Sequence, residues 1–120
     1  MKIAVTTSGN SLEGAVDSRF GRAPRFLIVD TSDGSFEAVD NIQNLNAAQG
    51  AGIQSAMTVV KTGAAAVITG HCGPKAFHVL AAAGIKVFNT DAATVKDAIE
   101  LYENGLLAPL ASADVEGHWI

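Results

Sequence analysis

Residues 64–88, AAAVITGHCGPKAFHVLAAAGIKVF, decide the fold of this chain. Ala64-Ala65-Ala66-Val67-Ile68-Thr69 is a short, unbroken apolar run, which reads as a strand buried on both faces. Gly70-His71-Cys72-Gly73 is turn chemistry. Pro74 stands where a proline opens the first turn of a helix, and Phe77, Leu80 and Ala81 carry that helix to Gly84. Ile85-Lys86-Val87-Phe88 is then a second strand. A strand, a helix and a strand joined this tightly form a right-handed crossover, so the two strands are expected to run parallel.

Working outward, residues 2–7 (KIAVTT) form a β-rich run that ends at the turn Ser8-Gly9-Asn10. Residues 25–30 (RFLIVD) read as another strand. Thr31 to Ser35 is turn chemistry and Phe36-Glu37-Ala38-Val39-Asp40 alternates, so residues 25–41 read as a hairpin. Asn41 to Asn46 is a polar loop. From Ala48 to Thr62, Ile53, Ala56, Met57 and Val60 recur at helical spacing, with Gly63 as the stop. A last helix spans Ala92 to Asn104, with Val95, Ile99 and Tyr102 inward and Gly105 beyond its end. The order is β-β-β-α-β-α-β-α. It predicts a single α/β domain built on a five-stranded mixed sheet flanked by helices, with the hairpin antiparallel and residues 64–69 and 85–88 parallel to residues 2–7. The domain is expected over residues 1–108. Residues 109–120, with His118 and Trp119, form a tail without a clear period.

The chain is 120 residues long, enough for one domain that buries roughly two thirds of its unfolded surface. Hydrophobic content of 48% against 17% charged residues belongs to a globular core, not to a disordered chain. A net charge of −4 argues against nucleic acid as a partner. Met1-Lys2 runs straight into the first strand and no apolar stretch approaches a membrane span, so neither a signal peptide nor a spanning helix is expected. The lone cysteine, Cys72, rules out an internal disulfide. A cytoplasmic monomer that does not engage membranes is expected.

Against this acidic background, Asp17-Ser18-Arg19-Phe20-Gly21-Arg22-Ala23-Pro24 and the following Arg25 place three of the eight basic side chains within seven positions. Glycine and proline break the segment, so it is an ordered loop and not a helical charge stripe. Guanidinium groups suit bidentate capture of anionic oxygens or softer anions. A local cationic loop on an acidic protein suggests one specific anion. The bland reading is a solvated loop whose arginines pair with Asp17 or Asp30.

In open α/β sheets, ligands collect beyond the carboxyl ends of the parallel strands. Four segments should converge there: Thr7 to Asn10, the arginine loop, Gly70 to Gly73, and Asn89-Thr90-Asp91. The helix opening at Pro74 would aim its N–H groups into the same space. Lys75 in its first turn opposes the helix dipole, which makes sense beside a bound anion. Gly50-Ala51-Gly52 is a weak dinucleotide signal, because Ser55 stands where the third glycine belongs. Small residues that let the backbone approach its neighbours are the better account.

Cys72 admits three readings. A zinc site lacks companion ligands at the required spacing. A nucleophile gains from a helix N-terminus and from His71, yet adjacent residues seldom pair and no acid orients the histidine. Contact with a metal–sulfur species that brings its own ligands suits one thiolate and one imidazole, so Cys72 and His71 are possible metal contacts. The alternative to all three is a buried thiol filling a tight turn.

The stretch Asp17 to Ala23, followed by a Phe-Leu-Ile-Val strand, resembles the motif of the nitrogenase iron–molybdenum cofactor accessory family. Gly50-Ala51-Gly52-Ile53, Val67-Ile68-Thr69-Gly70 with Gly73-Pro74, Gly84-Ile85-Lys86-Val87 and Gly105-Leu106-Leu107 fit it in the same order, so the resemblance spans residues 1–108. It implies a ribonuclease H-like fold and the binding, carriage or assembly of metal–sulfur clusters with few protein ligands. A stand-alone domain with His71-Cys72-Gly73-Pro74 is most similar to the family's small molybdenum–copper branch in sulfate-reducing bacteria. The resemblance therefore implies an anionic molybdenum–copper sulfide cluster as cofactor, and a protein partner in its transfer is possible. Nuclease activity is not implied, since the first strand offers Thr6 and Thr7 in place of carboxylates. The expected binding set is Ser8, Asn10, Arg19, Phe20, Gly21, Arg22, Gly50, Gly52, His71, Cys72, Gly73, Pro74, Lys75 and Thr90, with no catalytic residue. The competing class is a small enzyme, thiol-dependent through Cys72 or acting on phosphate esters through the arginine loop. A cluster carrier is coloured and a hydrolase is not.

Overall fold

The computed structural model describes residues 1–42 and 50–113. Its five strands are β1 (Lys2–Thr7), β2 (Arg25–Asp30), β3 (Phe36–Asp40), β4 (Ala66–Thr69) and β5 (Lys86–Asn89), and its three helices are α1 (Ala51–Thr62), α2 (Pro74–Ala82) and α3 (Val95–Glu103). They form one mixed sheet in the order β3-β2-β1-β4-β5. β1 pairs antiparallel with β2, which pairs antiparallel with β3. β4 runs parallel to both β1 and β5, as the crossover rule predicted.

Two crossovers, β3-α1-β4 and β4-α2-β5, advance across the sheet in the same direction and so lie on the same face. There Ala56 and Val59 of α1 and Ala76 and Leu80 of α2 pack on Ala4, Phe26, Ile28, Val67 and Val87. α3 covers the other face, where Val95, Ala98 and Ile99 meet Ile3, Val5, Leu27, Val29 and Ile68. The alternation of β1, β2 and β4 thus feeds two apolar layers, and all four residues of β4 are buried. Because β1, β3, β4 and β5 point the same way, all three helices start at the carboxyl edge of the sheet.

Several details depart from the sequence reading. The buried stripe of α1 is Gly52, Ser55, Ala56 and Val59, whereas Met57 and Val60 are exposed. Small residues take that face because α1 packs closely on its neighbours, so of the four recurring apolar positions only Ala56 is fully buried. Gly63 does end the helix, in a left-handed conformation with φ 79°. The arginine loop contains an unforeseen short 3-10 helix, Phe20–Arg22. α3 begins at Val95, not Ala92, since Thr94 caps it by accepting the Asp97 N–H at 3.2 Å. Tyr102 is half-buried and meets Phe88 edge to face at 5.1 Å. Past residue 108, Pro109 bridges Phe88 and Leu110 donates its N–H to Val87 at 2.8 Å. His118, Trp119, the helix start at 48–49 and most of the loop expected over 41–46 lie outside the described residues. No described helix is long and apolar enough to cross a membrane.

Candidate functional site

The carboxyl edge is built around a chain crossing. After β1 the backbone loops out through residues 8–14 and returns, with Val16 bridging Thr7 and the Asp17 N–H donating to the Thr6 carbonyl at 2.9 Å. It then lies across the end of β4. A Cβ at Gly70 would stand 2.5 Å from the Ser18 carbonyl oxygen and 2.6 Å from its Cα, so only glycine allows this contact. Arg19 next forms a parallel bridge with His71, and the Phe20 N–H donates to the His71 carbonyl at 3.0 Å. The Phe20 ring is fully buried, 5.6 Å from Phe26 between ring centroids. One buried aromatic thus anchors a loop whose flanking arginines stay exposed.

Two kinds of surface flank this crossing. On the α1–α2 side, the Ser55 hydroxyl lies 3.5 Å from the Gly21 carbonyl, tying the 3-10 helix to the start of α1. Helices α1 and α2 open on Gly50 and Gly73, cap residues that have no side chain of their own to offer the first turn. Their first-turn N–H groups therefore present partial positive charge at the same edge as Arg19, Arg22 and Lys75. On the α3 side, a cleft of about 740 Å³ is lined by Ser18, His71, Asn89, Thr90 and Asp91 together with Val16, Leu101, Leu106 and Leu107. A volume of that order suits a small ligand.

The charges are sorted. Arg25 is structural: its Nη1 donates to the Ser8 carbonyl at 3.1 Å and its Nε lies 3.3 Å from Asp40. Among the described residues neither Arg19 nor Arg22 forms an ion pair. The partners of the bland reading are engaged elsewhere. Asp17 accepts the backbone N–H of Arg19 at 3.0 Å, and Asp30 lies 3.4 Å from the N-terminal ammonium. The hydroxyl and N–H of Ser32, with that ammonium, hold the Asp30 carboxyl down at about 2. Ser35 likewise lowers Asp33. Asp30 ends β2 and Asp33 lies in the hairpin turn, at the end of the sheet opposite the site.

Most of the expected binding set gathers here, though not in one role. Arg19, Arg22, Gly50, Gly73, Pro74 and Lys75 surround the helix starts, and His71 stands between them and the cleft, which Thr90 lines. Phe20 and Gly21 are buried and act as anchors, and Gly52 lies on the buried face of α1. Cys72 is fully buried, its thiol directed to the Gly73 carbonyl at 3.7 Å. Ser8 and Asn10 stand apart: their loop leans on α3, where the Val95 N–H donates to Gly14 at 2.9 Å and the Lys96 N–H to Leu12 at 2.8 Å. Sequence reasoning missed Ser18 and the leucines of the cleft. In the sequence Gly105-Leu106-Leu107 reads only as a motif, and its place beside the edge depends on α3 folding back under the sheet.

Residues 1–105 match the model of the dinitrogenase iron–molybdenum cofactor family. An uncharacterized protein of Methanocaldococcus jannaschii is 32% identical over 109 residues, which are 89% of each chain. The apo form of the orange protein from Desulfovibrio gigas superposes with a TM-score of 0.89 at 42% identity, covering 95% of this chain and 96% of that one. A putative NifB protein from Thermotoga gives 0.80 at 34% identity, over 97% and 98% of the two chains. A family match over residues 1–105 and relatives above 30% identity across most of the chain agree, and the chain belongs to the dinitrogenase iron–molybdenum cofactor family.

Proposed function

We propose that this protein is a non-enzymatic carrier of an anionic metal–sulfur cluster of the molybdenum–copper sulfide type, held without a coordination cage. One contrast carries the reading. α3 is capped by Thr94, whereas α1 and α2 open on glycines beside Arg19, Arg22 and Lys75, which form no ion pair among the described residues. Helix starts whose cap residue brings no side chain, beside cations that form no ion pair among the described residues, are unfavourable for folding alone and favourable beside an anion. The donor chemistry fits such a group. Among the described residues no three His, Cys, Asp or Glu side chains are grouped to hold a bare metal ion. Charge and N–H donors suit a cluster whose metals already carry sulfide. The likeness to the orange protein supports the same reading.

In this reading Arg19, Arg22 and Lys75 supply charge, and the N–H groups behind Gly73-Pro74 and Gly50 supply hydrogen bonds. The imidazole of His71 is the side chain placed to meet a soft metal. Thr90 completes the rim on the side of the cleft, and Ser8 and Asn10 stand outside it. Gly52 lets α1 sit close, Phe20 and Gly21 fix the loop, and Cys72 packs the turn. A thiol enzyme is disfavoured by the burial of Cys72. A cytoplasmic monomer passing the cluster to or from a protein partner completes the picture.

The test is equilibrium binding of tetrathiomolybdate, alone and with copper(I), followed by visible absorption. Charge-assisted contacts contribute about 1.5 kcal/mol each at exposed positions, so Arg19→Ala with Arg22→Ala should weaken binding by about two orders of magnitude. The loss should shrink as salt rises. Unchanged binding by the folded double variant, or rapid hydrolysis of a phosphate ester by the wild type, would overturn the proposal.

A further inference from the structure

Beneath the crossing lie two threonine hydroxyls that no part of the proposed binding set uses. Thr6 and Thr69 are each fully buried, at the ends of β1 and β4. Thr6 Oγ1 lies 2.7 Å from the Asp17 carbonyl oxygen and 2.9 Å from Thr69 Oγ1. A hydroxyl has one proton and a carbonyl only accepts. Thr6 therefore donates to Asp17, and Thr69 donates to Thr6. The two protons make a directed chain from the end of β4, through β1, to the first residue of the arginine loop. Asp17 is gripped a second time by its N–H, which donates to the Thr6 carbonyl at 2.9 Å. Its carboxylate in turn accepts the Arg19 N–H at 3.0 Å. Burying two hydroxyls where valine would fit is costly unless both are bonded, and here both are.

We propose that the Thr69–Thr6 hydroxyl chain is a positioning device that holds Asp17, and through it Arg19 and Arg22, over the carboxyl edge. The threonines touch no ligand. They set where the loop starts, Gly70 lets it pass, and the Phe20 anchor sets where it ends. The inference rests on the anion-carrier reading for its purpose but not for its existence.

The test uses two readouts on the intact protein. Thr6→Val keeps shape and removes the donor, leaving the Asp17 carbonyl without it, and Thr6→Ser restores it. Trypsin reports loop order by cleavage after Arg19 and Arg22, with Lys61 and Lys96 as markers of global opening. Loss of one such bond is expected to raise the open population of the loop about tenfold. Cleavage after Arg19 and Arg22 should therefore quicken about tenfold in Thr6→Val, while Lys61 and Lys96 stay near wild type and Thr6→Ser returns to wild type. Tetrathiomolybdate should bind more weakly to Thr6→Val and normally to Thr6→Ser. If Thr6→Val fails to fold, Thr69→Val removes only the outer link, leaves Thr6 bonded to Asp17, and should quicken cleavage after Arg19 and Arg22 selectively but by less than about tenfold. Unchanged cleavage in a folded valine variant, or equal acceleration at all four sites, would overturn the inference. Selective loosening with unchanged tetrathiomolybdate binding would uphold the clamp and refute the arginine site.

Discussion

Gly70→Ala is the sharpest perturbation this fold offers, because its cost can be worked from one contact. The added Cβ would meet Ser18 at 2.5 Å from the carbonyl oxygen, 2.6 Å from Cα and 2.9 Å from the carbonyl carbon. All three atoms are backbone, so no side-chain rotation relieves them. Normal van der Waals separation is about 3.5 Å, so the crossing must lift by about 1 Å. It is held down at Asp17 and Phe20 by bonds of 2.9 and 3.0 Å, and a lift of that size strains both. Overpacking costs about 1–3 kcal/mol, and weakening one of those bonds adds about 1 kcal/mol. A loss of about 2–4 kcal/mol should lower the melting temperature by roughly 8–15 °C in a domain of this size. Differential scanning calorimetry gives the stability, and tetrathiomolybdate titration of the folded variant gives the site. Gly50→Ala is the control for stability, since among the described residues a Cβ there meets nothing within 4 Å. It should cost well under about 1 kcal/mol. A Gly70→Ala protein that melts and binds like wild type would show that Ser18 does not bear on Gly70.

Two further outcomes follow from the same geometry. Cys72→Ser places a hydroxyl in a fully buried pocket, so stability should fall by about 1–3 kcal/mol while tetrathiomolybdate still binds; complete loss of binding by a folded variant would make the thiolate an essential ligand. Asp30, held at about 2 when folded by Ser32 and the N-terminal ammonium, against an ordinary 3.8, contributes stability that is fully present above the ordinary value and is lost as pH falls through the folded one. Denaturant titrations between pH 5 and 2 should show this decline, and Asp30→Asn should flatten it; an equal slope in the variant would assign the acid sensitivity to other carboxylates.

The sheet was legible because its signals are local. Val67-Ile68-Thr69, the Pro74 start and the Gly63 stop each act within a few residues, and the crossover rule does the rest. The buried face of α1 was not legible. Met57 and Val60 are the more apolar choice, but a helix that must admit the Phe20–Arg22 segment buries Gly52, Ser55 and Ala56. The site divides the same way. The arginine loop announces itself as charge out of keeping with its surroundings, and the uncapped Gly73-Pro74 start is visible in the sequence. Gly70 reads as a turn glycine, and its contact with Ser18 joins segments more than fifty residues apart. Thr6 and Thr69 read as ordinary β-branched strand residues, because nothing local marks a buried hydroxyl as a donor. The cleft needs four separate segments and has no local signature at all.

Charge placement then limits what the edge can select. The whole chain carries −4, while α1 and α2 contain no acidic residue and α3 contains Asp97, Glu100 and Glu103. A long polyanion reaching Arg19 and Arg22 would also run along acidic surface, and its repulsion would grow with length. In the proposed site a compact anion would meet the arginines, Lys75 and the helix starts. The field therefore favours small, highly charged anions, and rising salt should weaken their binding only moderately because few contacts are made. Binding through charge and N–H groups also differs from a thiolate cage, which holds a metal by about 10–16 kcal/mol. On the proposed reading, an edge built from individual contacts of about 1–3 kcal/mol would release a bound cluster to a protein that offers direct ligands. That difference suits transfer better than storage.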